Sequence, residues 1–310
     1  MEYFEQENEI NKRLKTPTPA KASGLAFSVA AVLPVALSIV LLIAIALLGL
    51  AKGNYETQDW YLYSSFLLPQ MGFAIVVFWY LRYRNIPLKR AVFSQKCRYK
   101  YFLIAFLLQV GLLCLSELNV WFLNWLDGFG YTDTGIVLPS MDGWGFVGVM
   151  LTVGVLPALL EEIIFRGVLL DGLKKAFSLP VAVLVCGALF SLYHQNPAQT
   201  LYQFCCGTAF ALVAVKSGSI FPTVFSHFLN NAFIVVLYKL GVESFELPIF
   251  IVIMCVSAVC LISTLVYLIF IDKTPKNKGD KGERKRFFLY SAVGIVVCAL
   301  TWALVLWTGM

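Results

Sequence analysis

Nine apolar runs divide the chain, at roughly 25 to 51, 61 to 81, 101 to 125, 144 to 173, 179 to 196, 198 to 216, 218 to 240, 247 to 271 and 287 to 309. A helix needs about 20 apolar residues to cross the hydrocarbon of a bilayer, and a soluble domain has no core large enough to bury so many runs of that length. In lipid each backbone N–H and C=O has to be satisfied within its own segment, so runs of this kind can only be helices. The expected fold is all-α: a polytopic membrane protein of about eight to nine transmembrane helices. A content of 59% hydrophobic and 14% charged residues over 310 positions agrees.

The basic residues give the layout a direction. The formal net charge of +6 could suggest a nucleic-acid partner, but the lysines and arginines fall in short blocks between the apolar runs, as positive-inside loops do. With the N-terminal tail placed inside, only Lys52 and Lys239 of the 24 Lys and Arg fall at the outer side, and only Arg166 lies deep within a run rather than at its end. The tail is therefore expected in the cytoplasm, and nine crossings would bring Met310 outside. About two dozen polar residues precede the first run, which predicts a retained anchor rather than a cleaved leader. The outer loop from Asp127 to Gly143 has no Lys or Arg, whereas Lys273 to Arg286 reads as a solvated cytoplasmic hinge. The eight cysteines lie in predicted spans or inner loops and have neither metal-type spacing nor a disulfide framework.

On this basis the chain divides into a polar tail (1–24), N-terminal transmembrane helices with the outer loop (25–143), a central helical core (144–240) and C-terminal helices (241–310) that carry a basic cytoplasmic loop (272–286). Ionisable residues inside such runs are costly and ask for a reason. Glu161, Glu162 and Arg166 stand together in Leu-Leu-Glu-Glu-Ile-Ile-Phe-Arg-Gly. Glu162 and Arg166 are one helical turn apart and share a face, which suits a structural ion pair; Glu161 is turned about 100° away and left free for other work. The only two histidines, His194 and His227, also fall in apolar runs, and Asn231 follows His227 by one turn. A single intramembrane histidine is more often packed and hydrogen-bonded than catalytic, but both histidines of the chain are placed this way. Counted at about 1.5 Å per residue from the predicted inner ends, Glu161, His194, His227 and Asn231 lie about 18, 22, 14 and 20 Å deep. Four polar groups at one level have to line a shared cavity.

Glu-Glu-x-x-x-Arg-Gly at 161–167, Phe-x-x-x-His at 190–194 and His-x-x-x-Asn at 227–231, in that order on successive helices, resemble the CAAX-processing and bacteriocin-processing (CPBP) intramembrane proteases, which include the eukaryotic prenyl-protein endopeptidases. The resemblance covers about residues 150 to 232. It implies that Glu161 and His194 activate the attacking water and that His227 and Asn231 form an oxyanion hole, with Glu162 and Arg166 in support. No cofactor is implied. A zinc site built from Glu161, Glu162, His194 and His227 is the alternative, although the His-Glu-x-x-His spacing common in zinc proteases is missing. The expected activity is endopeptidase cleavage of a membrane-associated peptide, prenylated or leader-like, in a multi-pass protein of a bacterial-type cell membrane. The lipid bilayer and that peptide are its only implied partners, and nucleic acid is not one. A non-catalytic scaffold or immunity protein of the same family fits the same residues. A transporter with a midplane proton relay fits them less well, because no internal repeat is visible and the asparagine has no role there.

Overall fold

The computed structural model describes residue 9 and residues 18–85, 97–133, 135–242, 244–273 and 277–310. Most of the expected polar tail, with Lys12, Arg13 and Lys15, lies outside the described residues, as do positions 86–96 of the basic block and 274–276 of the basic loop. Among the described residues every regular element is helical. Among these residues eight helices are long and apolar enough to cross a membrane. In chain order the helices are α1 (Ala20–Leu47), α2 (Asp59–Arg84), α3 (Lys100–Asp127), α4 (Gly145–Ala176), α5 (Leu179–Tyr193), α6 (Thr200–Ser217), α7 (Phe221–Lys239), α8 (Leu247–Ile271) and α9 (Lys281–Thr308). All but α5 are in the crossing set.

The ends of the helices sort into two groups. At one end Thr18 N–H donates to Asp171 at 2.5 Å, Ala20 N–H donates to Glu283, and the ammonium of Lys216 donates to the Asp272 carbonyl. The basic residues flanking α2, α3, α4 and α9 gather here. At the other end Thr132 N–H donates to the Gly309 carbonyl at 2.8 Å, and Lys239 donates to the Met141 carbonyl at 2.8 Å. Exposed Trp60, Trp121, Trp125, Trp144 and Trp307 all sit at this second end. Basic residues gathered at one end are the pattern expected of a membrane protein's cytoplasmic side, and exposed tryptophans suit a membrane interface at the other.

Helix α5 departs from the expected run at 179–196. It stops at Tyr193, 15 residues long, which is about 22 Å and too short to cross about 30 Å of hydrocarbon. Pro197 and the left-handed Gln195 (φ 52°) turn the chain back through a 3-10 turn, Pro197–Gln199, into α6. A non-helical backbone at this depth survives only inside protein. Here Asn119 Nδ2 donates to the Ala198 carbonyl, Ser191 Oγ to the Thr200 carbonyl, and Trp302 Nε1 to Thr200 Oγ1. His194, expected within a helix, thus caps the end of one.

The remaining differences lie at helix ends. Helix α9 begins at Lys281 instead of near 287, because the Asp280 carboxylate accepts from the Glu283 N–H at 2.8 Å and caps it. The charged stretch expected to be a hinge is therefore helical from Lys281 onward. Helix α4 carries two π-helical stretches, Met150–Val155 and Ile163–Leu169. Such turns widen the helix and often mark functional sites. Helices α5 and α6 approach very closely: a Cβ on Gly187 would stand 2.1 Å from Thr208 Oγ1, and one on Gly207 would stand 3.0 Å from the Gly187 Cα.

Candidate active site

Glu161 and Glu162 close the α-helical part of α4, just before its second π stretch. Glu162 is fully buried, and its Oε1 accepts from Arg166 Nη1 at 2.6 Å. Arg166 Nη2 donates to the Gly207 carbonyl at 3.1 Å, a contact that depends on the small-residue crossing of α5 and α6. Its guanidinium carbon lies 4.3 Å from the centre of the Phe190 ring, 5.4 Å from Phe210 and 5.9 Å from Phe165. The expected ion pair is present, and aromatic faces enclose its cationic half.

The same Glu162 oxygen also meets His227 Nδ1 at 2.9 Å. A carboxylate oxygen only accepts, so Nδ1 carries the proton and Nε2 is turned the other way. Nε2 lies 3.9 Å from Oε2 of Glu161, and that oxygen is buried with no hydrogen-bond partner among the described residues. A single water hydrogen-bonded to both atoms at about 2.8 Å, with its two bonds near a right angle, spans about that distance. Gln70, buried on α2, adjoins Glu161.

His194 is half-buried, and its Nδ1 lies 2.8 Å from the Phe190 carbonyl of its own helix. A carbonyl is an acceptor only, so Nδ1 holds the proton and Nε2 offers the lone pair. Phe190 links the two histidines: its ring centre is 4.8 Å from that of His194 and 6.0 Å from that of His227. Asn231 Nδ2 donates to the Val153 carbonyl at 3.0 Å, in the first π stretch of α4. Its Oδ1 accepts from Asn230 Nδ2 at 3.2 Å. The second N–H of Asn231 has no partner among the described residues.

Residues 143–233 match the family model described as Rce1-like, type II CAAX prenyl endopeptidase. This stretch is thus similar to CAAX-type protease domains over about three tenths of the chain. It opens just before α4, ends within α7, and contains Glu161, Glu162, Arg166, His194, His227 and Asn231. No curated protein and no solved structure matches the chain. The matched stretch receives side chains from outside its own bounds as well: Gln70 from α2, and Gln109 from α3, whose Nε2 donates to Asn230 at 2.9 Å.

The structure brings Glu161, Glu162, Arg166 and His227 into direct contact, sets His194 beside them across Phe190, and joins Asn231 to α4. It places His227, rather than His194, opposite Glu161, and no hydrogen bond joins His194 to a carboxylate among the described residues. Sequence reasoning missed Asn230, Gln109, Gln70, and the carbonyls of Val153 and Gly207. Gln70 and Gln109 are visible as isolated polar residues in apolar runs, and Asn230 stands directly beside Asn231; the carbonyls leave no mark in a sequence. As to metal, no group of three or more His, Cys, Asp or Glu side chains among the described residues is spaced to hold an ion. Of the four zinc candidates, His227 holds Glu162 through Nδ1 and His194 holds a backbone carbonyl through Nδ1, so each imidazole has only Nε2 left for the site.

Proposed function

We propose that the protein is an intramembrane endopeptidase in which Glu161 activates water. The observation that carries this reading is the buried, unpartnered Glu161 oxygen held 3.9 Å from an imidazole nitrogen inside the matched stretch. A CAAX-type protease domain needs a base for water, donors for the oxyanion and an acid for the leaving amine. Glu161, aided by the His194 Nε2 lone pair, takes a proton from water as its oxygen attacks the peptide carbonyl carbon. The free N–H of Asn231 meets the developing oxyanion; His227 Nε2 adds a second donor while its ring carries both protons. As the C–N bond breaks, the proton held on Glu161 or His194 passes to the departing amine. The Glu162–Arg166 pair holds His227 in place, and no step needs a metal.

The substrate class follows from the site's depth and its family. A peptide reaching carboxylates between membrane helices has to be membrane-associated and locally unwound, and a prenylated Cys-a-a-X tail meets both needs. The protein would work in a cell membrane of bacterial type, with its basic end toward the cytoplasm. Incubating purified protein in detergent with prenylated Cys-a-a-X peptides and leader-type membrane peptides tests the reading. Cleavage by wild type that disappears in Glu161→Ala supports it, and folded wild-type protein that cleaves neither class would leave a non-catalytic, partner-binding role.

A further inference from the structure

Asn231 belongs to a buried chain of hydrogen bonds that runs across three further helices. Ser226 Oγ donates to Gln109 Oε1 at 3.2 Å. Gln109 Nε2 donates to Asn230 Oδ1 at 2.9 Å, and Tyr202 Oη donates to the same oxygen at 2.9 Å. Asn230 Nδ2 donates to Asn231 Oδ1 at 3.2 Å, and Asn231 Nδ2 to the Val153 carbonyl at 3.0 Å. Gln109, Ser226 and Asn230 are all buried.

The polarity of this chain is determined. The Val153 carbonyl only accepts, so the NH2 side of Asn231 has to face it and Oδ1 has to face Asn230. Asn230 must then present its own NH2, which leaves its oxygen to the two donors converging from α3 and α6. A flipped Asn230 would set its NH2 against that of Gln109 and its oxygen against that of Asn231. Buried unmade bonds of that kind are costly.

We infer that Asn230 is a positioning residue for the reaction: held by Gln109 and Tyr202, it fixes the amide of Asn231 so that its free N–H points at the oxyanion. The inference rests on the endopeptidase reading above. It also gives Gln109, which lies outside the matched stretch, a part in the chemistry through Asn230.

The test measures kcat and KM on a prenylated Cys-a-a-X peptide for wild type, Asn230→Asp, Asn231→Ala and the double variant. Asp at 230 still accepts from Gln109 and Tyr202 but cannot donate as a carboxylate to Asn231, so kcat should fall about 10- to 100-fold with KM little changed. In the double variant the loss should equal that of Asn231→Ala alone, because Asn230 acts only through its neighbour. A multiplicative loss would overturn the inference. Tyr202→Phe, which keeps the ring, should lower kcat by a smaller factor and serves if Asn230→Asp does not fold; unchanged kcat in both overturns the positioning role. Full activity in Asn231→Ala would instead overturn the oxyanion assignment, and no cleavage by wild type the protease reading, the inference falling with each.

Discussion

Glu162 on α4 and His227 on α7 are joined by a hydrogen bond of 2.9 Å between Oε1 and Nδ1, and the same oxygen accepts from Arg166 at 2.6 Å. One carboxylate oxygen thus ties the ion pair expected from the sequence to an imidazole on another helix. The pair does more than fasten a helix face, since it also sets the direction of His227.

Removing one member of this buried set leaves the others uncompensated. Arg166→Met should cost about 3–5 kcal/mol, seen as a large drop in melting temperature of the detergent-solubilised protein. The double substitution Glu162→Gln with Arg166→Met removes both charges together and should recover much of that loss. A double variant no more stable than Arg166→Met alone would show that the charge pair is not the source of the cost.

Glu161 makes no hydrogen bond through Oε2, so its charge contributes little to holding the fold. Glu161→Gln should keep or raise the melting temperature while abolishing cleavage. Loss of folded protein in this variant would reclassify Glu161 as structural.

Asn231→Ala deletes one oxyanion donor and its bond to Val153. Its kcat should fall by about 10² or more, the usual cost of losing one such donor. His194→Ala should lose cleavage as well, through the water-activating Nε2, with unchanged melting behaviour because its one hydrogen bond is within its own helix. Kinetics and scanning fluorimetry on the same preparations check both.

Cleavage should survive prolonged treatment with a strong chelator, since the proposed steps use Glu161, the two histidines and Asn231 and no metal. Loss on chelation with recovery on adding zinc would return the metal mechanism.

The crossing of α5 and α6 offers a test remote from the charges. A Cβ on Gly207 would stand 2.9 Å from Phe190 Cδ1 and 3.0 Å from the Gly187 Cα. Gly207→Ala should push the helices apart, weaken the Arg166 contact to the Gly207 carbonyl and cost about 1–3 kcal/mol. Because Phe190 carries His194 on its own helix, cleavage should fall together with stability in the same measurements.

The membrane crossings were legible because hydropathy is a local property: lipid demands long apolar helices wherever they end up. The same holds for the carboxylates, histidines and Asn231, which stand out because ionisable and polar groups are expensive at that depth. Less legible was α5, whose expected run continues to Asn196 although the helix stops at Tyr193. Its ending depends on the left-handed Gln195, the turn at Pro197, and the partners Asn119 and Trp302 supply from distant helices.

The sequence by itself determined that this chain crosses a membrane as a helical bundle, where its basic segments gather, and which side chains could do chemistry within it. The tertiary structure alone decided that His227 faces Glu161, that Asn231 bonds to Val153, and that Arg166 reaches Gly207. Those pairings follow from how far each helix is rotated and how closely it approaches its neighbour. Glycines at the α5–α6 crossing and π turns in α4 set both quantities, and they act between segments far apart in sequence, where local pattern carries no information.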